Sequence, residues 1–164
     1  MQCKRKDVER CRCYWKDDLS EIIDKVFSAN ALLIGTPIYL ARPTSKYFAF
    51  MERLHFSALS YDDYSNYFKG RVNVGLFVTM NATKEFYDKL YREKFENYAK
   101  EFKILNGEIS IYLSYNTLQV KDYSKFDMKS FDESKKIAFH DKYFSKDLEN
   151  AYNLGESLSK WIYN

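Results

Sequence analysis

An α/β fold with a parallel sheet of about three strands and four helices is predicted for this 164-residue chain by three observations. Short apolar runs alternate with stretches of helical period along its length. Each run ends in small polar or aromatic residues: Thr36 and Tyr39, then Thr79 and Asn81, then Tyr115, Asn116 and Thr117. The spacing between runs leaves room for one crossover helix each time, which implies right-handed connections and strand ends that all point one way. A single domain over residues 1–164 with one core is expected from the length.

Residues 1–16 are polar and without period, so they read as a loop bearing Cys3, Cys11 and Cys13. Asp17-Asp18 opens a helix whose face is Leu19, Ile22, Ile23, Val26 and Phe27, and Asp18 with Glu21 has the spacing of a capping box. Ser28-Ala29-Asn30 turns into a strand, Ala31 to Gly35, apolar enough to be expected under cover on both faces. Thr44 or Ser45 can cap the next helix, which runs to about Leu59 with Phe48, Met51 and Leu54 inward. After a polar connection at 61–67 a second strand spans Val72 to Val78. One long helix is expected from Lys84 to Leu105, its aromatic face running from Tyr87 to Phe102, and Asn106-Gly107 stops it. The third strand covers Ile109 to Tyr115. Residues 118–144 are irregular apart from a helical turn near Asp132–Phe139. The final helix is capped by Ser145 and shows Leu148, Ala151, Gly155, Leu158 and Ile162 on one face. Gly155 is expected where helix and sheet approach closely, since glycine there costs about 1 kcal/mol relative to alanine.

Composition narrows the function. The net charge is +3 with both signs interspersed, and Lys4-Arg5-Lys6 is too short a basic block to argue for nucleic acid. No apolar run approaches a membrane span and no leader pattern is visible, so a cytoplasmic protein without membrane association is expected. An odd, terminal set of cysteines argues against a disulfide framework. The 15 Tyr and 13 Phe read as a compositional bias rather than a stacking surface for rings, since many fall on helix faces at core spacing. His55 and His140 lack a serine or cysteine at nucleophile spacing and read as surface or helix residues. Asp17 and Asp18 suit helix capping rather than an acidic metal pocket, because the first strand closes in Gly35-Thr36-Pro37 and not in aspartate. Arg53 can pair with Glu52 or support a subunit contact. The strand ends are the natural place for a binding crevice.

Five stretches carry a family resemblance. They are Cys13-x-x-Lys16-Asp17-Asp18-Leu19, Gly35-Thr36-Pro37-Ile38-Tyr39, Phe50-Met51-Glu52-Arg53-Leu54, Val78-Thr79-Met80-Asn81, and the tract from Asn116 to Phe126. In order and spacing they resemble the NAD(P)H-dependent FMN reductases and the related iron–sulfur flavoproteins, which have a flavodoxin-like three-layer sandwich. The resemblance implies an FMN-binding oxidoreductase that passes a hydride from NAD(P)H to flavin N5, then electrons to a small-molecule or redox-protein acceptor. No side chain need be catalytic, since the flavin carries the chemistry. The cofactor-binding residues implied are Thr36, Pro37, Ile38, Tyr39 and Leu40 along the ring, with Thr79, Met80 and Asn81 flanking it and Tyr115 and Asn116 at the third strand end. A homodimer or higher homo-oligomer is also implied, a second subunit closing the flavin site.

Three features depart from the family. The opening strand, its Ser/Thr-rich phosphate loop and the helix behind it have no counterpart, so the domain reads as N-terminally truncated. Cys3, Cys11 and Cys13 cannot form a four-cysteine cluster within one chain; the expectation is no metal, with a three-cysteine site shared across subunits as the alternative. Phe48 replaces a lysine common in the family's helix. Loss of the first strand would leave Ala31–Gly35 at a sheet edge, which the N-terminal tail or a partner subunit is expected to cover. Two rival functions remain open: a non-enzymatic FMN electron carrier, against which the pI near 8.6 counts, and a flavin-free remnant acting through protein contacts.

Overall fold

The computed structural model describes residues 2–160. Its elements follow in the order α1 (Asp18–Ser28), β1 (Ala31–Pro37), α2 (Ser45–Ala58), β2 (Val72–Thr79), α3 (Lys84–Leu90), α4 (Arg92–Lys100), β3 (Asn106–Ser114) and α5 (Glu133–Lys160), with short 3₁₀ turns at 2–4, 101–105 and 123–125. The three strands form a parallel sheet in the order β1-β2-β3. Among the described residues five α-helices stand where four were expected.

Alternation along β2 separates two layers. Val72, Val74, Leu76 and Val78 are fully buried in one core with Ile23 of α1, Leu54 of α2, Tyr87 of α3 and Phe95 of α4. On the opposite face α5 lies alone. Its Leu154 and Leu158 close over Gly75, where a Cβ would come within 2.8 Å of Leu158 Cδ1. Asp147 of α5 accepts hydrogen bonds from Tyr112 (2.7 Å) and Ser114 (2.6 Å) of β3. The close approach of helix and sheet is therefore made by Gly75 of the sheet. Gly155, expected in that role, has open space around it.

Several boundaries differ from expectation. Asp17, not Asp18, caps α1 and accepts from Ser20 N at 3.1 Å, so no capping box with Glu21 forms; Ile22 is turned to solvent. Thr44 caps α2, accepting from Tyr47 N. The expected helix over 84–105 is three pieces, α3, α4 and a 3₁₀ turn, breaking at Tyr91, whose φ is −121°. A straight helix of that length would span about 33 Å, longer than strands of eight residues at about 27 Å. Tyr87 and Phe95, on either side of the break, are both in the core. Asn106 ends the last turn in the left-handed region (φ 60°), where asparagine is tolerated. Helix α5 is continuous from Glu133, so Ser145 lies inside it and is no cap; Asp132 accepts from Lys135 N (3.1 Å) at its start. Leu148 is exposed, Leu158 is buried, and Ile162 lies outside the described residues.

The sheet edge also differs. Asn30 O accepts from Asn73 N and Ile38 N donates to Thr79 O. By strand alternation, the even-numbered residues of β1 pair with β2, and the backbone groups of Ala31, Leu33 and Gly35 point outward. The N-terminal tail does not cover them. Lys4 bonds the carbonyls of Phe56 and Leu59, Arg10 lies over the Tyr67 ring, and among the described residues no backbone hydrogen bond joins 2–16 to β1. Nor is β1 under cover on both faces: Leu33 is 58% exposed.

Candidate functional site at the strand tips

Register places Pro37 beside Thr79 and Thr79 beside Ser114, so all three strands end level. Short bonds then tie the connecting loops together. Met80 N donates to Ser114 O (3.0 Å), Thr117 N to Met80 O (2.9 Å) and Asn116 N to Ala82 O (2.9 Å). Asn116 takes a left-handed conformation (φ 52°), which a short amide side chain allows.

The loop after β1 is held at both ends by one hydroxyl. Thr36 Oγ1 donates to Pro37 O (3.1 Å) and accepts from Thr44 N (3.2 Å). Between these points Tyr39 and Arg42 exchange two backbone hydrogen bonds, 2.9 and 3.0 Å long, around Leu40 (φ 48°) and Ala41 (φ 63°). Two consecutive left-handed residues make a turn of the I′ kind, which normally selects glycine or asparagine. Leucine and alanine there store strain, and Leu40 is 98% exposed.

A cavity of about 810 Å³ opens between these loops and the start of α5. Its apolar walls include Ile38, Leu40, Met80, Phe86 and Phe131; its polar ones include Asn81, Asn116 and Lys136. Two polar groups stand out. Asn81 Oδ1 is buried without a hydrogen-bond partner. Lys136, 7% exposed, donates to Asn81 O (2.9 Å) and Asn116 Oδ1 (2.5 Å), and burial pushes its ammonium below its ordinary 10.5.

Of the residues expected at the site, Ile38, Leu40, Met80, Asn81 and Asn116 line this cavity. Thr79 and Tyr115 line a neighbouring one of about 300 Å³, together with Asn116 and His140. Thr36, Pro37 and Tyr39 lie in neither wall. Thr36 is a buried loop lock, Pro37 ends the β1 ladder, and Tyr39 is 66% exposed at the turn rather than packed over a slot. Lys136, Phe86 and Phe131 were not foreseen. The helical turn expected near Asp132–Phe139 holds Lys136, but its reach to the strand-tip loops is a tertiary contact that no local pattern signals.

The remaining candidates lie elsewhere. Arg53 does not pair with Glu52. Its guanidinium bonds Asp17 (2.7 Å) and Cys13 Sγ (3.2 Å), and the Arg53 hydrogen bond holds the Asp17 carboxyl below the usual range. Cys3, Cys11 and Cys13 are free thiols, and burial pushes that of Cys11 up. Among the described residues no group of histidine, cysteine and carboxylate side chains could hold a metal ion, and no helix is long and apolar enough to cross a membrane. His55 is half-buried on α2, its Nε2 without a partner and its pKa lowered by burial.

A family model for NADPH-dependent FMN reductases matches residues 2–86, just over half of the chain. The chain belongs to this family. The matched part holds α1, β1, α2, β2 and the tips of both strands, including Ile38, Leu40, Met80 and Asn81. Asn116 and Lys136 lie beyond it. No curated protein and no solved structure matches the chain.

Proposed function

We propose that the cavity at the strand tips seats the isoalloxazine of FMN, and that the protein passes a hydride from NAD(P)H to this flavin and electrons on to a small or protein acceptor. The observation that carries the reading is the cavity's chemistry. Apolar side chains (Ile38, Met80, Phe86 and Phe131) line a cavity of about 810 Å³, within the range of cofactor sites. An acceptor left unpaired at Asn81 Oδ1 is a group that a ring N–H would satisfy. These residues fit a flat, amphipathic ring.

The bound flavin supplies the hydride chemistry; the chain binds and orients it. Ile38 and Met80 exclude water, and Leu40 of the strained turn lines the same cavity. Asn116 and Lys136 fix the polar end. The same reading carries a homo-oligomer in which a partner covers the outward groups of Ala31, Leu33 and Gly35, because an open apolar edge invites pairing.

Full-length protein incubated with FMN and desalted is expected to remain yellow and to bleach anaerobically with NADPH. Bleaching by dithionite alone would assign an electron carrier instead. Failure to retain any flavin would contradict the reading.

A further inference from the structure

Lys136 is a buried cation without a counter-ion. Both acceptors it reaches, the Asn81 carbonyl and the Asn116 amide oxygen, are neutral, and among the described residues no carboxylate pairs with it. The acid in the same wall, Asp132, is engaged with Lys135 at 3.1 Å. An ammonium has three N–H donors, and two are used. The third is left for what the cavity holds. Burying a charge among neutral partners is costly, and an anionic neighbour is what offsets it. Of the three charged residues that line the cavity two are lysines, so its field is positive. Burial lowers the Lys136 pKa, the direction expected of a cation short of counter-charge.

Resting on the flavin reading above, we propose that Lys136 selects the charge state of the ligand: its ammonium makes the cavity hold the anionic, reduced flavin ring more tightly than the neutral oxidised ring. Lys136 lies outside the part of the chain that the family model matches, so this selection belongs to the chain's own C-terminal half. The oxidised ring offers neutral oxygens to the third N–H. The reduced ring, once it has lost its N1 proton, offers negative charge to the same donor.

The test is the ratio of dissociation constants for oxidised and dithionite-reduced FMN, measured anaerobically on the full chain. In the wild type the reduced form is expected to bind more tightly. Lys136→Met should lower the ratio by about 10- to 100-fold, the usual span for one charge-assisted hydrogen bond. Asn116→Asp keeps the ammonium but sets a carboxylate beside it, and should move the ratio the same way. It decides the matter if Lys136→Met does not fold. A wild type that binds both forms, with a ratio unmoved in the folded variants, overturns the role of Lys136 and leaves the flavin reading standing. A wild type that binds neither form overturns both.

Discussion

The turn at Leu40 and Ala41 offers a direct test of the loop that lines the cavity. Both residues are left-handed, with φ of 48° and 63°, a conformation that costs an L-residue about 1–2 kcal/mol. Leu40 is 98% exposed, so replacing it forfeits little buried contact. The double variant Leu40→Asn, Ala41→Gly installs the pair that such turns prefer. Glycine's larger loss of backbone freedom on folding takes back about 0.5–1 kcal/mol. The net gain should be about 1–2 kcal/mol, or about 2–8 °C in Tm for a domain of this size. Thermal unfolding followed by circular dichroism measures it. An unchanged or lower Tm would refute the strained turn. If the strain serves to hold Leu40 over the ring, the same variant should bind FMN more weakly while being more stable.

Three further outcomes follow from other parts of the molecule. The Arg53 hydrogen bond depresses the Asp17 pKa below 3.8, so its contribution is present above that value and is lost as pH falls through the lower, folded-state pKa. The stability difference between wild type and Arg53→Met should therefore shrink below about pH 4 in urea titrations; a gap that stays constant contradicts the linkage. Gly107→Ala would drive a Cβ into the Val72 carbonyl and to 2.7 Å from Asn73 N. Backbone cannot yield as a flexible side chain can, so a loss of about 3 kcal/mol or more is expected in chemical denaturation, and a near-neutral result would show that β2 and β3 do not start as described. Leu33→Lys places a charge on the half-open α5 face of the edge strand β1, beside Gly75; light scattering should then report a smaller particle than the wild type, and an unchanged mass would remove that side of β1 from the subunit contact.

The strands were legible because each is a short apolar run closed by polar residues, and the two pairings leave all three ending level. The cavity was half legible. Ile38, Met80, Asn81 and Asn116 sit directly after strands, where parallel topology forces convergence. Thr36 stands outside both cavity walls because a hydroxyl at a strand end can serve a ligand or its own loop, and this one bonds Pro37 and Thr44 of the loop. Lys136 falls in the helical turn expected near Asp132–Phe139, but the first half of α5 is polar on most sides, so the sequence does not show which side meets the strand tips. The break at Tyr91 was illegible for a different reason. The aromatic period runs straight through it, and no glycine, proline or capping residue marks the stop.

Amide chemical shifts of the full chain, followed as FMN is added, would locate the flavin. Seating at the strand tips requires the largest changes at Ile38, Asn81, Ala82, Thr83 and Asn116, with little change near Cys13 and Arg53. Binding that leaves those five amides unmoved, or moves another region instead, would contradict a ring held between the three strand ends.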